Sequence, residues 1–136
     1  MATQRVLILC TGNSARSQMA EGLLREIAGD RFEVFSAGTR PAGLNPNAVT
    51  AMAEIGIDIS RHRSKSVDEF DNQQFDQVIT VCDSAKESCP IFLGASNRIH
   101  HSFEDPAAAP AHQQLPLFRK VRDEISSWLQ DFVQEM

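Results

Sequence analysis

Val6-Leu7-Ile8-Leu9-Cys10-Thr11-Gly12-Asn13-Ser14-Ala15-Arg16-Ser17 decides how the rest of the chain is read. An aliphatic run ends at a cysteine. Small and polar residues follow, then an arginine, then an amphipathic segment that reaches Gly29. Residues 5–10 read as a buried strand and 15–28 as a helix, with Met19, Leu23 and Ile27 spaced at i, i+4 and i+8. A thiol therefore stands where a buried strand stops and a helix is about to start.

The spacing is Cys-x5-Arg. With a turn at Gly12, successive backbone N–H groups of residues 11–17 (Thr11, Gly12, Asn13, Ser14, Ala15, Arg16 and Ser17) can face inward as an anion nest. The helix behind them adds its unpaired N–H groups and its positive dipole end. Arg16 offers a planar fork that binds two oxyanion oxygens at once. The same positive ends favour a thiolate at Cys10, and Ser17 or Ser14 could donate to the sulfur. Asn13 is the residue best suited to a positive φ in such a loop. The spacing alone would favour an inert core cysteine; the strand–loop–helix setting, Gly12 and Ser17 turn the reading to a nucleophile at the floor of an oxyanion pocket.

Working outward, 32–36 reads as a second strand ended by Ala37-Gly38. Asn45-Pro46 is a helix start, since Asn caps and Pro suits the first helical position. Ala48, Met52 and Ile55 mark that helix's face and Gly56 closes it. A short helix is expected near Val67–Phe70, a third strand over 75–82 and a fourth over 98–103. Residues 106–115 read as an irregular loop, and a last helix over 117–134 buries Val121, Ile125, Trp128, Leu129, Phe132 and Val133. Strands alternating with helices give an α/β fold: a three-layer α/β/α domain spanning 1–136, with a four-stranded parallel sheet in the order 2-1-3-4. Ligands of such sheets sit beyond the carboxyl ends of the strands, where Cys10, Gly38, Cys82 and Asp105 all fall.

The 136 residues carry a net charge of −5 and no long Lys/Arg block, so neither nucleic acid nor a membrane surface is an expected partner. No apolar run is long enough to span a bilayer. Three cysteines without a secretory signal point to free or catalytic thiols in the cytoplasm. His62, His100, His101 and His112 lack metal-ligand spacing, so no metal is expected, and no cofactor. Structural or surface roles suit them better. His100 and His101 are neighbours on a strand and should face opposite sides. Arg61, Arg63 and Lys65 read as a solvated turn.

The stretch Cys10 to Gly22 resembles the loop of the low-molecular-weight tyrosine phosphatase fold, and more closely that of the thioredoxin-coupled arsenate reductases built on it. Phe35-Ser36-Ala37-Gly38, Asn45-Pro46, 56–60, Val81-Cys82, Cys89-Pro90, Asp105-Pro106 and 118–125 extend the resemblance over nearly the whole chain. A phosphatase needs one thiol. Reducing arsenate to arsenite takes two electrons, which two thiols supply by becoming a disulfide. The resemblance implies a relay. Cys10 attacks arsenate, a Cys10–Cys82 disulfide forms as arsenite leaves, and Cys89 then gives a Cys82–Cys89 disulfide that thioredoxin or a similar dithiol reduces.

If 82–89 were helical, the two Cα atoms would stand about 10 Å apart. A disulfide needs about 4.4–6.8 Å, so the segment is expected to rearrange on oxidation. The resemblance also makes Asp105 the proton donor, arsenate the substrate with phosphate or sulfate as analogues, and a monomer the expected state. The alternative is a phosphatase that hydrolyses phosphate monoesters through Cys10, Arg16 and Asp105; against it stands the absence of any tyrosine to frame an aryl ester. Asn13, Glu21 and Ser36 resemble a potassium site of some relatives, although Glu21 could equally be a solvated helix residue. Where those relatives carry an aspartate, Lys65 would replace a carboxylate by an ammonium.

Overall fold

The computed structural model describes residues 3–82 and 92–135. Cys89 and the expected rearrangement of 82–89 therefore lie outside the described residues.

Four strands, β1 (Gln4–Cys10), β2 (Phe32–Gly38), β3 (Phe75–Thr80) and β4 (Ala95–His100), form one parallel sheet in the order β2-β1-β3-β4. β1 is aliphatic from Val6 to Leu9, as a strand buried on both faces must be, and β3 buries Phe75, Val78 and Ile79 beside it. Val6 and Ile8 point to one face and pack with helices α1 (Arg16–Ala28), α2 (Pro46–Ala53) and α3 (Ala111–Gln134). Leu7 and Leu9 point to the other, onto Phe70, Phe75, Val78 and Phe92, where a 3-10 turn, Val67–Phe70, provides cover. Among the described residues no helix is long and apolar enough to cross a membrane.

Local chemistry sets the boundaries. Asn45 caps α2 by accepting from the Asn47 N–H, with Pro46 as the first helical residue. Gly56 carries the positive φ, 82°, that the chain needs to leave that helix. Gly29 follows α1 in right-handed geometry instead, so no left-handed cap forms there.

Four expectations are corrected. β4 runs Ala95–His100, three residues earlier at each end than expected, because the edge residues Ala95 and Asn97 pair with β3 through their backbones and need no apolar run. β3 ends at Thr80, although the Val81 N–H still bonds the Leu9 carbonyl. Helix α3 begins at Ala111, absorbing Pro116 in its second turn at the loss of one N–H donor. Ile55 lies past the end of α2 and is exposed; Ala51 completes the buried face.

Candidate active site

β1 delivers Cys10 opposite Gly38 of β2, and the loop from Thr11 to Ala15 carries the chain into α1. The loop's carbonyls turn outward, each to a donor of its own. Thr11 O accepts from the Arg40 N–H at 2.9 Å, Gly12 O from the Ala42 N–H at 2.9 Å, and Ser14 O from the Asn45 N–H at 3.0 Å. Ser64 Oγ adds a second bond to Gly12 O, and Gln18 Nε2 holds Asn13 O. In a trans peptide the next N–H points opposite its carbonyl, so this outward bonding turns the loop's donors toward the cleft. Helix α1 has no side-chain cap and no acid in its first turn, which leaves its positive end available to an anion.

Asn13 holds the loop in shape. Its φ is 44°, as the sequence led one to expect, and its side chain is buried and fully bonded. Nδ2 donates to Ser17 Oγ at 2.9 Å and to Ser36 Oγ at 3.0 Å. Oδ1 accepts from the Lys65 N–H and from Gln18 Nε2. Ser17 Oγ lies 3.0 Å from Cys10 Sγ. Because Ser17 accepts from Asn13, its own proton is left for the sulfur. Of the two serines considered, Ser17 reaches the thiol and Ser14 lines the cleft. Gly12 supplies no positive φ; the turn rests on Asn13.

Cys10 is a free thiol, 2% exposed, at the floor of a cleft of about 310 Å³. Thr11, Gly12, Ser14, Ala15 and Arg16 line its walls, and Asp105 stands across it. Thr11 Oγ1 is the one buried side-chain polar atom among the described residues with no partner, and an oxyanion in the cleft could supply one. Arg16 is 4% exposed; it donates to the Phe103 carbonyl at 3.2 Å and stands 3.8 Å from Asp105 Oδ2. Asp105 Oδ1 accepts from the Ala107 N–H, which fixes the carboxyl at the start of a 3-10 turn, Pro106–Ala108. Arg40, Ala42 and Ala107 also line the cleft. Sequence reasoning missed them, although an arginine two residues past the end of β2 was a signal. A larger cavity of about 520 Å³, near Asp68 and Asp71, has no cation in its lining and does not suit an oxyanion.

Cys82 is buried just beyond β3, the strand beside β1, and it is disulfide-bonded. Since Cys10 is free, the two are not joined to each other in this structure.

Behind the loop, Ser36 Oγ donates to Glu21, which is 4% exposed and not a solvated helix residue. Glu21 also meets Arg25 at 2.6 Å, His62 at 3.8 Å and Lys65 at 4.0 Å. Lys65 is thus no part of a solvated turn: its ammonium packs against Glu21, and burial pulls its pKa down against that carboxylate's attraction. Arg63 does stay at the surface, paired with Glu69. His62 is structural. Gln18 Nε2 spends its protons on three acceptors, so Gln18 Oε1 accepts from His62 Nδ1, and burial lowers the imidazole's pKa. His100 turns to Thr80 and Ser102, whereas the His101 ring packs at a tilt against Phe103 and Trp128.

The arrangement can hold a tetrahedral oxyanion against a nucleophilic sulfur and protonate the group that leaves. The family model of the low molecular weight phosphotyrosine protein phosphatase matches residues 5–136. An arsenate reductase of Halalkalibacterium halodurans is 45% identical over 131 residues, covering 95% of this chain and 94% of that one. An arsenate reductase of Bacillus subtilis is 43% identical over 136 residues, covering 98% of each. Among solved structures, an arsenate reductase in the phosphate binding state matches with a TM-score of 0.84 at 29% identity, again over 98% of each chain.

Proposed function

The chain belongs to the low molecular weight phosphotyrosine protein phosphatase family, among its arsenate reductases, and from that premise we propose that it reduces arsenate to arsenite by a three-thiol relay. The Cys10 thiolate attacks arsenic in the cleft while Arg16 and the loop N–H groups hold the equatorial oxygens. Asp105 gives its proton to the departing oxygen, which leaves as water. An S–As(V) bond now stands where an As–O bond stood.

Cys82 then attacks the Cys10 sulfur. The S–S bond forms, the S–As bond breaks, and its electron pair stays on arsenic, which departs as arsenite. Cys89 attacks Cys82, frees Cys10, and leaves a Cys82–Cys89 disulfide for thioredoxin or a similar dithiol to reduce. Two thiols lose two electrons and arsenic gains two.

The observation that carries this reading is a second cysteine, already oxidised, at the carboxyl end of the strand beside Cys10. Hydrolysis of an ester would need no such group. A disulfide at Cys82 with Cys10 free is also the state the relay reaches after its last internal step. The small cleft, framed by alanines and no aromatic ring, supports a free oxyanion over an aryl ester as substrate. Phosphate-ester hydrolysis remains a side activity of the same loop.

Arsenite formation and aryl-phosphate hydrolysis measured on the wild type, Cys10→Ser and Cys82→Ser test the proposal. Cys10→Ser should lose both activities. Cys82→Ser should lose sustained arsenate reduction and keep ester hydrolysis. Continued multiple-turnover arsenite release by Cys82→Ser would contradict the relay.

A further inference from the structure

Arg40 is the one arginine of the cleft lining besides Arg16, and the mechanism above leaves it without a task. Its backbone is tied to the anion loop, since the Arg40 N–H donates to Thr11 O at 2.9 Å. Two residues on, the Ala42 N–H does the same to Gly12 O, and Ala42 also lines the cleft. The 40–42 segment therefore runs along the loop as a fixed rail, and it sets the Arg40 side chain at the mouth. The residue is exposed, and among the described residues its guanidinium has no hydrogen bond or ion pair. Behind the loop, Lys65 and Arg25 meet Glu21, and Arg63 meets Glu69.

An uncommitted cation at the entrance of a cleft has a specific consequence in an acidic protein. The net charge of −5 repels a dianion at long range. Inside the cleft, Arg16 is already engaged, donating to the Phe103 carbonyl at 3.2 Å and standing 3.8 Å from Asp105 Oδ2. Arg40 has no such partner among the described residues. We propose that Arg40 is a specificity-determining residue that draws the doubly charged oxyanion into the cleft and biases the site toward free tetrahedral dianions. Small walls at Ala42 and Ala107 leave the rim to this one charge, with no side chain to grip an organic ester group. The proposal rests on the oxyanion reading of the site but not on the later redox steps.

Binding of inorganic phosphate tests it without turnover, by calorimetry at low and at high salt, on wild type, R40Q, R40E and R61Q. Arg61 is an exposed arginine outside the cleft lining, and its loss changes net charge by the same amount as R40Q. R40Q should weaken phosphate binding about three- to tenfold at low salt, R40E further, and R61Q less than about twofold. The gap between wild type and R40Q should shrink as salt rises. Because the Arg40 N–H remains in every variant, the loop keeps its tie, and unchanged thermal unfolding checks this. In arsenite formation the same variants should raise KM and spare kcat. R40E binding phosphate within twofold of wild type at low salt would overturn the proposal, as would an equal loss in R61Q. Normal phosphate binding with no arsenite from the wild type would instead sink the reductase reading and leave this one standing.

Discussion

At the residue scale, the site depends on how few donors and acceptors are shared among many groups. Asn13 gives one proton to Ser17 and one to Ser36, and Ser17 passes its own to Cys10. Ser17→Ala cuts that chain at its last link. A hydrogen bond to a charged group is worth about 1.5–3 kcal/mol, so kcat/KM should fall roughly ten- to a hundredfold while the fold persists. Steady-state kinetics beside circular dichroism checks this; an unchanged kcat/KM would remove Ser17 from the site. Cys10, Arg16, Asn13 and Ser17 were legible in the sequence because strand, thiol, small loop and arginine follow one another directly. The burial of Lys65 was not. Three basic residues within five positions look like a solvated turn, and only the fold brings Glu21 to face one of them.

His62 gives the residue scale a pH dependence. It faces Glu21, Arg25, Lys65 and Asp58, and burial outweighs the carboxylates in lowering its pKa. Below the ordinary value of about 6.5, the unfolded chain takes up a proton that the folded chain refuses. Stability should therefore fall as pH drops through that region. His62→Gln can still donate to Gln18 and cannot titrate. Its loss of denaturant stability between pH 7 and pH 5 should be smaller than that of the wild type. Equal losses would assign the acid sensitivity to other groups.

At the scale of elements, the anion loop is braced where β2 ends. Gly38 pairs with Cys10, and a Cβ there would come within 2.5 Å of Thr11 O and 2.8 Å of Cys10 O. Those backbone atoms cannot yield without moving the loop. Gly38→Ala should cost activity far more than stability: about a hundredfold in rate, the usual penalty for displacing a reacting group by about 1 Å. Equal activity in the purified variant would show that the loop tolerates the shift. The four strands, their order and the cap at Asn45 could be read from pattern, because an aliphatic run or an Asn-Pro pair has one good structural use. The bounds of β4 and the start of α3 could not. An edge strand needs only backbone pairing, so Ser96 and Asn97 gave no apolar signal. Pro116 argues against a helix locally, and the packing of Phe118, Val121 and Ile125 outweighs it.

At the scale of the whole molecule, the sheet brings Cys10, at the end of β1, and Cys82, just beyond the neighbouring β3, to one edge, and in the proposed relay electron balance gives that placement its meaning. The Cys10 loop alone would serve a phosphatase as well as a reductase. That ambiguity is physical: both reactions begin with a sulfur attacking a tetrahedral oxyanion. In the proposed relay, what separates them lies some seventy residues downstream, at Cys82 and Cys89, and no property of the loop announces it. The most direct measurement is a stoichiometry. Fully reduced protein, mixed with excess arsenate and no external thiol, should release one arsenite per chain and drop from three titratable thiols to one. Three thiols remaining, or no arsenite released, would contradict the account.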